Sequence, residues 1–323
     1  MRKFKYRSLF ILAIVIALSI IAGCGNQKQQ MDTADSAENK ITVIDDLNRS
    51  VFIDKYPKKI VALSPSFLEI LSEVDAELIG RPSSKSNVPE NFKAIEEVGA
   101  VYQINIEKVV GLQPDLVIAY EGMHNKFIPI LESNHIPVIV LKMKTYEDVI
   151  DKIQLLGKVV GNEAKGQALV ERMQKEVKNI VDKVPKESKR VAILHSTAKS
   201  VTVELDSSIA GSTAKMLGFK NVATGSKALE SDPDSTPYSL EKLVESNPEV
   251  IFVVTMGELE AIKKRMLEDV ESNPAWNSLE AVKNKKIYFL PQELFLLNPS
   301  IHYPEAVHRM AKLVYPEVFM NGE

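Results

Sequence analysis

Two rhythms of apolar residues alternate along the chain. Runs such as Ile60–Leu63, Leu116–Ala119, Val138–Leu141, Val191–Leu194, Val201–Leu205, Val250–Val254 and Ile287–Leu290 are rich in aliphatic and β-branched residues and predict strands. Between them, apolar positions return every three or four residues over Phe67–Ser72, Phe127–Glu132, Tyr146–Val160, Ala210–Leu217, Leu259–Asp269 and Pro304–Val314. That is the spacing of amphipathic helices. Strands alternating with helices imply an α/β fold with parallel sheets and right-handed crossovers. Ahead of this series, Ile41–Ile44 and Val51–Ile53 flank a polar turn at Asn48 and predict a hairpin. Leu78–Gly80 predicts one more short strand or turn.

One stretch occurs twice. Ile106–Ile118 reads IEKVVGLQPDLVI and Leu240–Phe252 reads LEKLVESNPEVIF. Glu107/Glu241, Lys108/Lys242, Val110/Val244 and Pro114/Pro248 coincide. Each copy predicts a short helix, a turn at proline and a strand, which is half of a β/α repeat. Lys59–Ser64 and Arg190–His195 stand at nearly the same separation, and each opens a strand after a basic residue. Two lobes of similar build are therefore expected, with the active surface between them.

Between the copies the pattern becomes wholly helical. Thr145 is placed to cap a helix over Tyr146–Val160, which stops at Gly161-Asn162. From Glu163, Leu169, Met173, Val177, Ile180 and Val184 advance by four, four, three and four residues. A helix over Glu163–Val184 would be about 33 Å long and would end before Pro185. We read it as the stiff connector of the lobes, and expect little hinge motion.

Charge changes the picture mainly by exclusion. The 40 Lys and Arg nearly balance the 43 Asp and Glu, so no basic excess points to nucleic acid. Five histidines, His124, His135, His195, His302 and His308, show no metal-binding spacing, and Cys24 is the only cysteine. No Gly-x-Ser-x-Gly elbow or phosphate-binding loop is present, which argues against an extracytoplasmic hydrolase or metal-dependent enzyme.

The N-terminus has Arg2, Lys3, Lys5 and Arg7 ahead of an uncharged apolar run, Leu9–Ile21, the pattern of a secretory signal. The run is short of the about 20 residues that span a membrane. Ile21-Ala22-Gly23-Cys24 resembles a bacterial lipobox, in which the cysteine is diacylated and becomes the mature N-terminus. Two acyl chains give stable anchoring where one does not. Gly25–Lys40 is polar and unable to bury a core. The expected organisation is a signal peptide over 1–23, a tether over 24–40, an N-terminal lobe over 41–144, a helical connector over 145–184 and a C-terminal lobe over 185–323.

The lipobox cysteine, the tether, Lys59-Ile-Val-Ala-Leu-Ser-Pro65, Asn105-Ile-Glu-Lys-Val-Val110 with Pro114-Asp-Leu-Val-Ile118, the long helix, Asn273-Pro-Ala-Trp276 and Ala281-Val-Lys-Asn284 follow in order. From Ile41 onward the chain resembles the ABC-transporter solute-binding lipoproteins of the iron-complex family, whose ligands are ferric siderophores, haem and cobalamin. The resemblance implies two Rossmann-like lobes joined by one long helix, in the manner of class III periplasmic binding proteins. It also implies a shallow cleft, a monomer lipid-anchored on the outer face of the cell membrane, and delivery to a permease dimer with a cytoplasmic ATPase. No catalysis and no resident cofactor are expected, the ligand being a ferric chelate.

In open α/β sheets ligands bind beyond the carboxyl ends of the strands. Those loops hold Ser64, Ser66, Phe67, Arg81, Tyr120, Glu121, Lys142 and Met143 in the first lobe. In the second they hold His195, Ser196, Thr255, Met256, Gly257, Gln292 and Phe295. Phe67, Tyr120 and Phe295 suit stacking on a flat organic ligand, and Arg81 and Lys142 suit its negative charge. The expected ligand set is Ser64, Ser66, Phe67, Arg81, Tyr120, Lys142, Met256 and Phe295, with Arg81 and Tyr120 foremost. In haem-binding relatives that resemble this chain, a first-lobe Met and a second-lobe His hold the iron. Here Glu69 and Met256 occupy those positions, so the haem pattern lacks its ligands. Cobalamin is not separable from siderophores by sequence. Glu107 and Glu241 fall two residues after the N-caps Asn105 and Ser239, where a carboxylate complements the helix dipole. The resemblance adds a role in docking to permease arginines.

Overall fold

The structure, a computed structural model, describes residues 40–84 and 88–319. The predicted signal segment, Cys24 and all of the tether but Lys40 lie outside the described residues. The hairpin forms from β1 (Lys40–Ile44) and β2 (Ser50–Asp54), and a buried carboxylate organises its turn. Asp45 Oδ1 accepts from the amides of Leu47 and Arg49 at 3.1 and 3.0 Å. Its Oδ2 accepts from Arg49 Nη2 at 2.6 Å and from the Val140 amide at 3.1 Å. The turn is thereby pinned to a strand far along the chain.

The first lobe runs β3 (Ile60–Ala62), α1 (Leu68–Glu73), β4 (Leu78–Ser83), β5 (Glu96–Ala100), β6 (Gln103–Ile104), α2 (Ile106–Gly111), β7 (Leu116–Tyr120), α3 (Ile128–Ser133) and β8 (Val138–Leu141). Its sheet has the order β6-β5-β4-β3-β7-β8, parallel except for β6. β3 and β8 are buried at every residue, and β7 at every residue before Tyr120, as a parallel sheet covered on both faces requires. β5 and β6 were not predicted. Glu96-Glu-Val-Gly-Ala100 has only Val98 buried, so neither apolar rhythm marks it.

Two packed helices follow, α4 (Tyr146–Val160) and α5 (Glu163–Val181). Thr145 and Asp148 make a reciprocal capping box at the start of α4. The predicted helix from Glu163 stops at Val181, three residues short of Val184, because 182–184 tighten into turns. Its 19 residues give about 28 Å. α5 does not stand alone: a Cβ on Gly157 of α4 would lie 3.3 Å from the Cα of Gly166 in α5, so two backbones meet where neither carries a side chain. Arg172 of α5 pairs with Glu73 at 3.1 Å, Lys165 pairs with Asp75, and Asn162 Nδ2 donates to the Val74 carbonyl at 2.6 Å.

The second lobe runs β9 (Arg190–Thr197), β10 (Val201–Glu204), α6 (Ile209–Met216), β11 (Lys220–Asn221), β12 (Ser235–Pro237), α7 (Leu240–Ser246), β13 (Val250–Met256), α8 (Leu259–Ser272), α9 (Pro274–Ser278), α10 (Glu280–Lys283), β14 (Ile287–Phe289), α11 (Gln292–Phe295), α12 (Tyr303–Val314) and α13 (Pro316–Phe319). Its sheet has the order β12-β10-β9-β13-β14, and β11 pairs with the start of β9. α12 packs on both α5 and α6. From Thr42 onward the described residues form one compact unit.

The sequence repeat is a structural repeat. β3-β7-β8 and β9-β13-β14 are matching parallel triads. Asn105 and Ser239 cap α2 and α7 by accepting from the amides of Lys108 and Lys242 at 3.0 and 3.3 Å. Both copies leave the helix through a residue with positive φ ahead of proline, Gln113 (φ 49°) and Asn247 (φ 39°). The acid after each proline then fastens the neighbouring strand. Asp115 accepts from the amides of Lys58 and Lys59, and Glu249 from that of Arg190. Beyond these triads the halves diverge, since β10 is antiparallel to β9 where β4 is parallel to β3.

Candidate functional site

The carboxyl ends of the two sheets face a shared open cleft of about 890 Å³, part of which is continuous with solvent. Ser64, Ser66, Tyr102, Tyr120 and Lys144 line it from one side. His195, Glu204, Ser208, Asp232, Asp234, Phe295, Leu297 and Asn298 line it from the other.

Each wall follows from local structure. Ser64 ends β3 by accepting from the Ser66 amide at 3.4 Å, which starts the 3-10 turn Pro65–Phe67. Tyr120 is held through buried His124, whose Nδ1 accepts from the Tyr120 amide at 3.0 Å. That contact places the ring proton on Nε2, which donates to the Val101 carbonyl at 2.8 Å. One imidazole thus ties the end of β7 to the β5–β6 turn that carries Tyr102. The Tyr120 hydroxyl donates to the Met143 carbonyl at 2.6 Å, and its ring packs against Phe67 at 6.0 Å. Burial, followed by the charges of Asp148, Asp234 and Glu121, pushes this phenol above the ordinary tyrosine range, so it remains a neutral donor.

Across the cavity, His195 at the end of β9 places Nδ1 3.1 Å from Glu204 Oε1. That hydrogen bond raises the imidazole above its ordinary range against the opposing effect of burial. Lys144 and Asp234 form an ion pair between the two sides. Asn298 Oδ1 accepts from the Ser300 amide at 2.7 Å.

The expected ligand residues divide. Ser64, Ser66, Tyr120 and Phe295 line the cavity. Phe67 is fully buried and stands behind Tyr120. Arg81 is a correction. Its guanidinium donates to the carbonyls of Phe92, Lys93 and Pro82 at 2.9, 3.0 and 3.1 Å and pairs with Glu97 at 2.9 Å. The turn entering β5 has backbone acceptors to satisfy, and Arg81 is buried doing so. Lys142 does not line the cavity: its ammonium lies 3.5 Å from Asp148, and its amide donates to Asp46 at 2.6 Å. Met256, half exposed at the end of β13, stands outside the cavity wall. Glu107 and Glu241 are exposed in the first turns of α2 and α7 and form no ion pair among the described residues.

The sequence reading missed Tyr102, Lys144, Glu204, Asp232, Asp234 and Asn298. Glu204 had a signal, an acid within the strand pattern Val201–Leu205. Tyr102 had none without β5 and β6. Glu69 accepts from His302 Nε2 at 2.8 Å and so joins α1 to the turn before α12. The Glu69 hydrogen bond raises the His302 imidazole, opposed by burial and assisted by the charges of Glu69 and Glu305. A raised histidine contributes stability below its unfolded value of about 6.5 and loses it as pH climbs through the folded value. Both side chains are partly solvated. Wild type should therefore exceed Glu69→Gln by about 0.5 kcal/mol at pH 6, and the gap should close by pH 9 in urea unfolding. A gap that widens with pH would exclude this pairing.

Among the described residues, no group of three or more His, Cys, Asp or Glu side chains is placed to hold a metal ion, and no helix is long and apolar enough to cross a membrane. Known proteins share this fold. Residues 60–294 match the family model described as periplasmic binding protein. The uncharacterized ABC transporter substrate-binding lipoprotein YvrC of Bacillus subtilis (strain 168) is 28% identical, covering 98% of this chain and 99% of its own. The Fe(3+)-citrate-binding protein YfmC of the same organism is 26% identical over 89% of this chain and 90% of its own. A crystal structure of an ABC transporter substrate-binding protein from Listeria monocytogenes EGD-e superposes with a TM-score of 0.73 at 25% identity, over 81% of this chain and all of that one. With a family model spanning both lobes, this chain belongs to the periplasmic binding proteins, the substrate-binding components of ABC transporters, and is not an enzyme.

Proposed function

We propose that the chain is a lipid-anchored receptor that captures a ferric siderophore complex between its lobes and presents it to an ABC permease. The observation that carries this reading is the cavity mouth. Tyr102 and Leu297 belong to the few large apolar side chains left well exposed among the described residues, and both line the cavity. Exposed apolar surface rimmed by polar groups marks a binding site. Tyr120, in the wall of the same cavity, offers a rigid aromatic face. The name of the 26% identical relative supports an iron complex as cargo. In this reading Cys24 carries the lipid, the monomer stays at the outer face of the cell membrane, and Glu107 and Glu241 meet the permease.

Calorimetric titration of the purified full chain against ferric chelates, haem and cobalamin tests it. Saturable binding of a ferric chelate is expected, weakened about tenfold by Tyr120→Ala. Binding of haem or cobalamin alone would replace the siderophore reading. Trp276 is a poor reporter, because it is buried against Tyr238 in the second-lobe core. Calorimetry avoids that limitation.

A further inference from the structure

The charge of the cavity wall bears on the class of complex it takes. Glu204, Asp232 and Asp234 stand in the wall, against Lys144 and His195. Lys144 is already paired with Asp234. Of the two cations expected to meet an anionic cargo, Arg81 is buried on backbone carbonyls and Glu97, and neither it nor Lys142, whose ammonium lies 3.5 Å from Asp148, lines the cavity.

Glu204 is the second observation. Its residue surface is only 5% exposed, yet it lines the cavity. Oε1 is engaged by His195, while Oε2 is buried with no hydrogen-bond partner among the described residues. A buried carboxylate oxygen without a donor is costly, and its field is weakly screened. Asn298 Nδ2 is likewise buried, unpartnered and in the same wall. The site holds an acceptor and a donor in want of partners, under an excess of negative charge.

Resting on the reading of this cleft as an iron-complex site, we infer that it selects ferric complexes without net negative charge, with Glu204 the specificity residue that receives a cationic or N–H donor of the cargo. Hydroxamate donors each carry a single negative charge, so a ferric trihydroxamate is neutral, and a pendant ammonium makes it cationic. Catecholate and hydroxycarboxylate chelates leave surplus negative charge on the complex. With Asp234 neutralised by Lys144, that surplus is brought against Glu204 and Asp232 in a partly desolvated cleft and is repelled.

The test is calorimetry on the full chain with four probes: ferrioxamine B (cationic), ferrichrome (neutral), ferric citrate and a ferric tris-catecholate (both anionic). Ferrioxamine B and ferrichrome should bind at least about tenfold more tightly than either anionic probe, with the gap narrowing as salt rises. Glu204→Gln should weaken ferrioxamine B about tenfold while leaving ferrichrome within about threefold, which separates loss of charge from loss of shape. If Glu204→Gln fails to fold, Asp232→Asn replaces it and should shift the same ratio in the same direction. Anionic probes binding as tightly as the others, or a ferrioxamine-to-ferrichrome ratio unmoved by the variants, would overturn the charge inference alone. Failure of all four to bind would end the iron-complex reading and the inference with it.

Discussion

Gly211→Ala should destabilise the chain by about 3 kcal/mol, the upper part of the range for overpacking. A Cβ at Gly211 would sit 1.9 Å from the Leu205 carbonyl oxygen and 2.9 Å from the Asp206 Cα. Both neighbours are backbone, so no rotamer change relieves the clash. The helix start cannot easily shift either, since Ser208 Oγ accepts from the Gly211 amide at 2.9 Å. Leu205 directly follows Glu204, so the displaced segment is part of the cavity wall, and cargo affinity should fall with stability. Gly218→Ala is the control. Gly218 has φ +75° but open space around it, and the substitution should cost only about 1 kcal/mol from the left-handed backbone, with cargo affinity unchanged. Equal melting shifts for the two variants would contradict the packing argument.

Combined Glu107→Lys and Glu241→Lys should lower uptake about 100-fold while cargo affinity stays within about twofold. The two carboxylates occupy equivalent places in a duplicated unit, each in the first turn of a capped helix feeding a central strand. A partner built of two like halves would meet the same charge twice. Each single reversal should cost about tenfold, and raised salt should weaken the wild type toward the variants. Uptake by vesicles carrying the permease is the readout. If cargo affinity fell in parallel, the residues would serve the cleft, and the docking role would be lost.

What the sequence disclosed follows from which physical signals are local. The buried strands β3, β7, β8, β9 and β13 are dense in branched aliphatics, and capped helices beside proline turns recur, so the α/β architecture and its duplication were visible. Placement of charged side chains was not. Arg81 follows an apolar strand and looked like a cleft cation. Its true partners, the carbonyls of Phe92 and Lys93, come from a turn whose strand β5 has a single buried side chain. Without that strand nothing nearby in sequence competes for the guanidinium. Lys144 and Asp234 lie far apart along the chain, and neither sits in a motif; only folding brings them together. Tyr120 was legible because it ends a buried strand, the one place where period and position together fix which way a side chain stands.

The imidazole of His124 accepts from the end of β7 and donates to the β5–β6 turn, both on the first-lobe side of the cleft. Burial lowers its proton affinity, opposed by the Val101 hydrogen bond and aided by Lys126. A second proton would turn its acceptor nitrogen into a donor facing the donor amide of Tyr120, and the segments that carry Tyr120 and Tyr102 would come unfastened from each other. Because the fold resists that proton, the aperture keeps its dimensions as the surroundings turn mildly acidic, even after exposed histidines have become charged. The substrate-binding cleft thereby keeps one gauge for its cargo over that range.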